Sequence, residues 1–157
     1  MINKKRERAT VFYQGSFDLL HYGHIRAIRK AKEQGNYLII GLNTDKLIRE
    51  YKDKEVFVSY PFRKKILEAL RDVDQVVPAN YFSPLNLLKK IKPDVYIICN
   101  EWKKTKQKEV DYMKSIGGKT VVIPYLKTFS STDIKNKLAE NYLKHNQRLC
   151  SECHKKM

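Results

Sequence analysis

The sequence predicts an α/β protein: a Rossmann-like, doubly wound parallel sheet of about five strands, with helices on both faces. Three observations carry this. Short apolar runs of strand length alternate with segments of helical apolar spacing over most of the chain. The run at residues 37–42, Tyr-Leu-Ile-Ile-Gly-Leu, is almost continuously apolar, as in a parallel strand covered on both faces. The polar clusters follow the strands, and ligands of open α/β sheets sit beyond the carboxyl ends of strands, where strand order reverses.

Taken in order, residues 1–9 are a polar lead-in. Residues 10–14 form the first strand and 22–34 the first helix, closed by Gly35. The strand at 37–42 ends at Asn43-Thr44-Asp45, and a charged connection spans 46–60. Pro61 opens a helix to Leu70, since proline suits a first helical turn. Residues 73–77 are a short strand, 84–91 a helix stopped by Pro93, and 95–99 the next strand. A helix over 107–116 stops at Gly117-Gly118. The last strand covers 120–123, and Ser130-Ser131-Thr132-Asp133 caps a final helix from about Ile134. The expected organisation is a lead-in (1–9), one catalytic domain (10–138) and a basic helix end and tail (139–157).

Composition narrows the function. A length of 157 residues is about one domain, and 42% hydrophobic content argues for a folded core. No apolar run approaches the ~20 residues of a membrane span. The N-terminus has charge but no apolar signal-peptide segment, and three cysteines suggest no disulfide framework. A cytoplasmic protein with reduced thiols, without a membrane partner, is expected. The net charge of +15 admits a nucleic-acid-binding reading. The basic residues are spread out and not interleaved with aromatics. A lysine-rich surface around a site for anionic small molecules is therefore preferred. Neither GxxxxGK[ST] nor GxGxxG is present.

The chemistry concentrates between the first strand and first helix, in Gly15-Ser16-Phe17-Asp18-Leu19-Leu20-His21-Tyr22-Gly23-His24. A helix start presents unpaired N–H groups and the positive end of the dipole, which suits phosphate. His21 and His24 add imidazole donors, and Gly23 lets a ligand approach the backbone closely. If both substrates bring phosphate, the nucleophile is already ionised and no general base is needed. Catalysis then reduces to alignment and charge neutralisation. The chain has the cationic parts for this and no evident Ser-His-Asp set.

Gly-Ser-Phe-Asp followed by His-Tyr-Gly-His resembles the signature of the HxGH nucleotidyltransferases. Over roughly residues 10–138 the chain resembles the cytidylyltransferases, the glycerol-3-phosphate family above all, and is also similar to the adenylyltransferase domain that activates heptose 1-phosphate. The resemblance implies that His21 and His24 hold the triphosphate, with Ser16, Phe17, Asp18 and Gly23 in the same nucleotide-binding turn. It places Lys52 (substrate) and Lys54 (catalysis) in the connection, and Asp45 with the substrate. Arg63 is implied in catalysis and Arg71 in nucleotide binding. Glu101-Trp102 stands for an Asp-Trp pair, and Ser130-Ser131-Thr132 for a serine-threonine triplet: Ser130 with nucleotide, Ser131 and Thr132 in catalysis. Tyr125 replaces a basic residue that Lys127 can supply at the substrate. The resemblance further implies Mg²⁺, a homodimer, and CTP with a phosphorylated small alcohol. ATP with a sugar 1-phosphate is the alternative.

Bland readings stand beside these. Arg63 and Arg71 can pair with carboxylates such as Glu68, Asp45 can cap a turn, and Trp102 can be core bulk. In the tail, His145, Cys150, Cys153 and His154 form a His-x4-Cys-x2-Cys-His set that can hold zinc, although adjacent Cys153 and His154 make closure by one chain awkward. A frayed basic tail is the favoured reading there.

Overall fold

The structure, a computed structural model, describes residues 9–52, 55–124 and 131–154. It divides into two compact units, Met1–Tyr125 and Leu126–Met157. The first holds one five-stranded parallel sheet, β1 (Thr10–Gly15), β2 (Tyr37–Asn43), β3 (Gln75–Ala79), β4 (Val95–Cys99) and β5 (Lys119–Ile123), in the order β3-β2-β1-β4-β5. From β1 the chain winds outward to β3, returns to β4 beside β1, and winds the other way to β5. The order reverses between β1 and β4. The α/β doubly wound architecture expected from the alternating pattern is the one observed.

Why these strands are central follows from their side chains. Val11, Phe12, Leu38, Ile40 and Leu42 are fully buried. On one face Val11, Tyr13, Leu38 and Ile40 pack with Ile28 and Ala31 of α1 (Tyr22–Lys32) and Leu67 of α3 (Tyr60–Glu68). On the other Phe12, Ile39, Tyr96 and Ile98 pack with Leu88 of α4 (Leu85–Ile91) and Met113 of α5 (Gln107–Ser115). Each apolar run therefore feeds two cores, as a doubly covered strand must.

Several boundaries differ from expectation. The connection at 46–60 contains a helix, α2 (Asp45–Lys52), whose Leu47 and Ile48 are buried. β3 starts two residues later than expected and takes in Pro78, which an edge strand tolerates. A 3₁₀ helix, Asn100–Thr105, follows β4. Gly35 is not the helix C′ residue: α1 ends at Lys32 with Glu33 as cap. A Cβ on Gly35 would lie 2.5 Å from the Ala9 carbonyl oxygen, which accepts from the N–H groups of Asn36 and Tyr37. Gly117 does act as a helix stop, with φ +70° and the Gly118 N–H returning to the Met113 carbonyl at 2.8 Å. In the second unit, α6 spans Ser131–His154.

One buried cation ties the carboxyl ends of β1 and β2 together. Arg63, in the first turns of α3, is 1% exposed. Its guanidinium donates to the carbonyls of Val58 (2.8 Å), Asn43 (2.9 Å) and Ser16, and to Asp45 Oδ1 at 2.7 Å. The other Asp45 oxygen accepts from the Tyr60 N–H at 3.1 Å. Partial burial raises the Asp45 pKa, but the Tyr60 N–H and the Arg63 hydrogen bond and charge outweigh it and hold the carboxyl below its ordinary 3.8.

Two predictions follow from these contacts. Gly35→Ala pushes a methyl into a backbone carbonyl that cannot rotate away, so denaturant unfolding should show a loss of roughly 1–3 kcal/mol. Because Asp45 is depressed in the folded state, its contribution is present above pH 4 and is lost as pH falls through the lowered value. Unfolding followed between pH 6 and pH 2 should therefore show an acid-side loss that Asp45→Asn diminishes, the variant being less stable than the native chain at neutral pH.

Candidate active site

The loop between β1 and α1 is built under strain and held from three sides. Phe17 and Leu19 have φ of 48° and 49°, costly for residues with a Cβ. Phe17 compensates by burial: it is 4% exposed and stands edge-on to Tyr13 at 5.5 Å. Its side chain is thus core, which leaves its backbone as the part that can face a ligand. The Asp18 carboxylate accepts from the N–H groups of Phe57 (3.3 Å) and Val58 (3.0 Å). It fastens the far end of the connection to the loop. The Ser16 carbonyl is held by Arg63.

The loop delivers two histidines to the start of α1. His21 is the N-cap, with extended φ −140° and ψ 173°, and its Nδ1 accepts from the Gly23 N–H at 3.1 Å. His24 Nδ1 accepts from the His21 N–H at 3.4 Å. The pair reproduces a capping box with imidazoles in place of Ser and Glu. An accepting Nδ1 leaves the ring proton on Nε2, so each neutral imidazole carries its donor on the nitrogen away from its own backbone bond. The ring centroids are 3.9 Å apart and tilted by 31°, so two donors sit side by side at a helix start.

Beside the histidines runs a polar chain that the sequence did not reveal. Ser16 Oγ and the Tyr51 hydroxyl are 2.7 Å apart. Buried Asn43 donates to both, at 3.2 and 3.3 Å, and Gln14 donates to Asn43 Oδ1 and to the Tyr81 carbonyl, each at 3.0 Å. Tyr51 also meets Phe82 at 5.2 Å, and Phe82 meets Trp102 edge-on at 5.2 Å. An aromatic arch thus links α2, the loop after β3 and the 3₁₀ helix after β4. Lys106 supports it from inside. It is 6% exposed, donates to the Phe82 carbonyl at 2.6 Å and lies 3.8 Å from that ring's centre. Burial pushes its ammonium pKa down, with Glu109 acting the other way. The basic run around residue 106 had read as solvated surface; only tertiary packing distinguishes this lysine from its neighbours.

Other expected residues fall in different places. Ser16, His21, His24, Glu101 and Trp102 lie at the carboxyl edge of the sheet. Asp45 is there too, engaged by Arg63 and the Tyr60 N–H. Arg63 is buried behind it, with its guanidinium on the Val58, Ser16 and Asn43 carbonyls and Asp45. Arg71 is not brought to the site. It sits in the turn before β3, with 87% of its side chain exposed and Asp72 at 3.7 Å. Ser131 and Thr132 open α6 in the second unit. Lys54, Lys127 and Ser130 lie outside the described residues, as does the side chain of Lys52.

The acidic residues nearby do not fit a cation cage. Asp18 and Asp45 are committed to backbone N–H groups and Arg63, and among the described residues no three His, Cys, Asp or Glu side chains gather as metal ligands. The Cys99 thiol, pushed up by burial, hydrogen-bonds with the Tyr13 hydroxyl at 3.1 Å and is no nucleophile.

Comparison with known proteins agrees with this geometry. The cytidylyltransferase-like family matches residues 12–137. The chain is 38% identical over 132 residues to glycerol-3-phosphate cytidylyltransferase of Staphylococcus aureus, covering 82% of this chain and 93% of that protein. It is 34% identical over 140 residues to the bifunctional protein HldE of Geobacter metallireducens, covering 88% of this chain and 29% of that one. It thus spans under a third of the length of such bifunctional relatives. The crystal structure of a lipopolysaccharide core biosynthesis protein from Thermoplasma volcanium shares the fold, with TM-score 0.65 and 20% identity, covering 78% of this chain and 99% of that one. The strained turn, the paired histidines at a helix start and a match across most of the sheet converge: the chain belongs to the cytidylyltransferase-like family.

Proposed function

We propose that the protein is a cytidylyltransferase that joins CTP to a phosphorylated small alcohol, glycerol 3-phosphate or a related polyol phosphate, releasing pyrophosphate. The observation that carries this reading is the imidazole pair capping α1. A phosphate oxygen of the acceptor attacks the α-phosphorus, and the bond to the departing pyrophosphate breaks. No proton need be abstracted, because the attacking oxygen is already anionic. The task is to align two anions and stabilise the negative charge of the transition state. His21 and His24 donate through Nε2 to triphosphate oxygens, and the amide groups and dipole of the α1 start add to the same field. Magnesium belongs to this reading as an ion accompanying the triphosphate. The chain's own contribution is the donors and their fixed aim. Relatives named glycerol-3-phosphate cytidylyltransferase support the choice of CTP and acceptor. Similarity to HldE proteins favours a second reading, ATP with a sugar 1-phosphate. A homodimer in the cytoplasm accompanies either reading.

His21→Asn keeps a side-chain acceptor at the N-cap, where Asn is as good as any residue, but removes the ring donor. Its turnover should fall by roughly 10²–10³, the usual worth of a transition-state hydrogen bond, while the unfolding midpoint stays near native. His24→Ala should behave alike. Near-native turnover in the double variant would refute the site. Pyrophosphate release with CTP, ATP, GTP and UTP against phosphopolyols and sugar 1-phosphates should favour CTP with a phosphopolyol. A preference for ATP with a sugar 1-phosphate would select the second reading.

A further inference from the structure

The segment after β3 is held more firmly than an exposed loop requires. Three consecutive residues are each bound by a polar side chain from elsewhere in the chain. The Tyr81 carbonyl accepts from Gln14 of β1 at 3.0 Å and the Phe82 carbonyl from Lys106 at 2.6 Å, while the Ser83 hydroxyl donates to Glu109 of α5 at 2.6 Å. Lys106 and Glu109 are both buried. Burying a cation and a carboxylate is costly, and water would satisfy a surface loop without them. Their placement therefore serves what the loop carries. Besides its bond to the Phe82 carbonyl, the Lys106 ammonium lies 3.8 Å from the centre of the Phe82 ring, so it holds that residue by both backbone and side chain.

What the loop carries is the middle ring of the arch. β3 and β4 stand three places apart in the sheet, about 14 Å at ordinary strand spacing. Phe82 follows β3 and Trp102 follows β4, yet their rings meet edge-on at 5.2 Å. The segment thus reaches across the carboxyl ends of β2 and β1, and β1 is the strand that runs into the histidine turn. The two rings form an aromatic corner there, with Phe82 36% and Trp102 37% exposed. Of the two substrates in the proposed reaction, only the nucleotide brings a planar ring, and aromatic side chains stack on bases.

We propose that Lys106 is a positioning residue for the nucleotide: by fixing Phe82 it sets the Phe82–Trp102 corner against which the base rests, while Glu109 fixes the same segment through Ser83. This rests on the nucleotidyl-transfer reading and divides its labour, with the histidines on the triphosphate and the corner on the base.

Trp102 is the single tryptophan of the chain, so its fluorescence reports on the corner directly. The test titrates the full-length chain with CTP, by fluorescence and calorimetry, and with inorganic tripolyphosphate, which carries the charge without the base. CTP should change the Trp102 emission and tripolyphosphate should not. Lys106→Met and Phe82→Ala should each weaken CTP binding roughly tenfold or more and leave tripolyphosphate binding near native. The double variant should bind CTP no more weakly than Phe82→Ala, because the lysine acts through that ring. Ser83→Ala, which cuts the Glu109 bond from the exposed side, should weaken CTP binding in the same selective way and carries the test if Lys106→Met does not fold. Unchanged CTP affinity in any of these variants, an equal loss of tripolyphosphate, additive losses in the double variant, or Trp102 emission indifferent to CTP would overturn the proposal. Tripolyphosphate binding that depends on His21 and His24, with CTP affinity indifferent to Lys106, would overturn this proposal alone. Failure of the native chain to bind either ligand would overturn the nucleotidyl-transfer reading with it.

Discussion

The structure of the site depends on a guanidinium that never meets solvent. A buried charge is costly unless its hydrogen bonds are satisfied, and Arg63 satisfies them with carbonyls from three separate segments and one carboxylate. The same bonds fix where β1 and β2 release the chain. The Ser16 carbonyl can then be followed by two left-handed residues, Phe17 and Leu19, a conformation that a loop on its own would relax. Strain at the turn and charge in the interior are two halves of one arrangement. Neither would persist alone, because each is unfavourable without the other's contacts.

That arrangement aims the histidines. In an ordinary capping box the side chains at both positions are consumed by the backbone. Imidazole differs in having a second nitrogen. His21 and His24 can spend Nδ1 on the helix start and still present a proton on Nε2, so the capping bond sets both the tautomer and the direction of the donor. Serine or aspartate would cap as well but leave no donor beyond. The HxGH spacing is therefore the N-cap-to-N3 spacing.

Sequence reasoning reached what local pattern encodes. The apolar runs of β2 and β4, the strand-turn-helix at residue 15, and the clustering of polar residues after strands were all legible, because burial on two faces and helix capping leave marks on neighbouring residues. It missed α2, whose Leu47, Ile48 and Tyr51 hide among charged neighbours at a spacing too short to register. It did not reach the burial of Arg63 and Lys106, since nothing local separates a buried cation from a solvated one. Arg71 lies past the end of α3, in the exposed turn before β3, beside Asp72. The chain Gln14–Asn43–Ser16–Tyr51 joins β1, β2 and α2 and has no local signature at all.

The two halves of the site carry different constraints. The half at the β1–α1 turn rests on Arg63 and on Asp18, both tied to backbone groups of other segments, so a change at these two alters the fold of the turn. The arch of Tyr51, Phe82 and Trp102 is partly exposed and joined mainly by ring contacts, which tolerate exchange of one aromatic for another. Lys106 and Glu109 brace its base, Lys106 through the Phe82 carbonyl and Glu109 through the Ser83 hydroxyl at 2.6 Å, so the rim can vary while its support stays fixed. A scaffold divided in this way holds its support while its rim varies, and relatives of two different names each match most of the chain at similar identity.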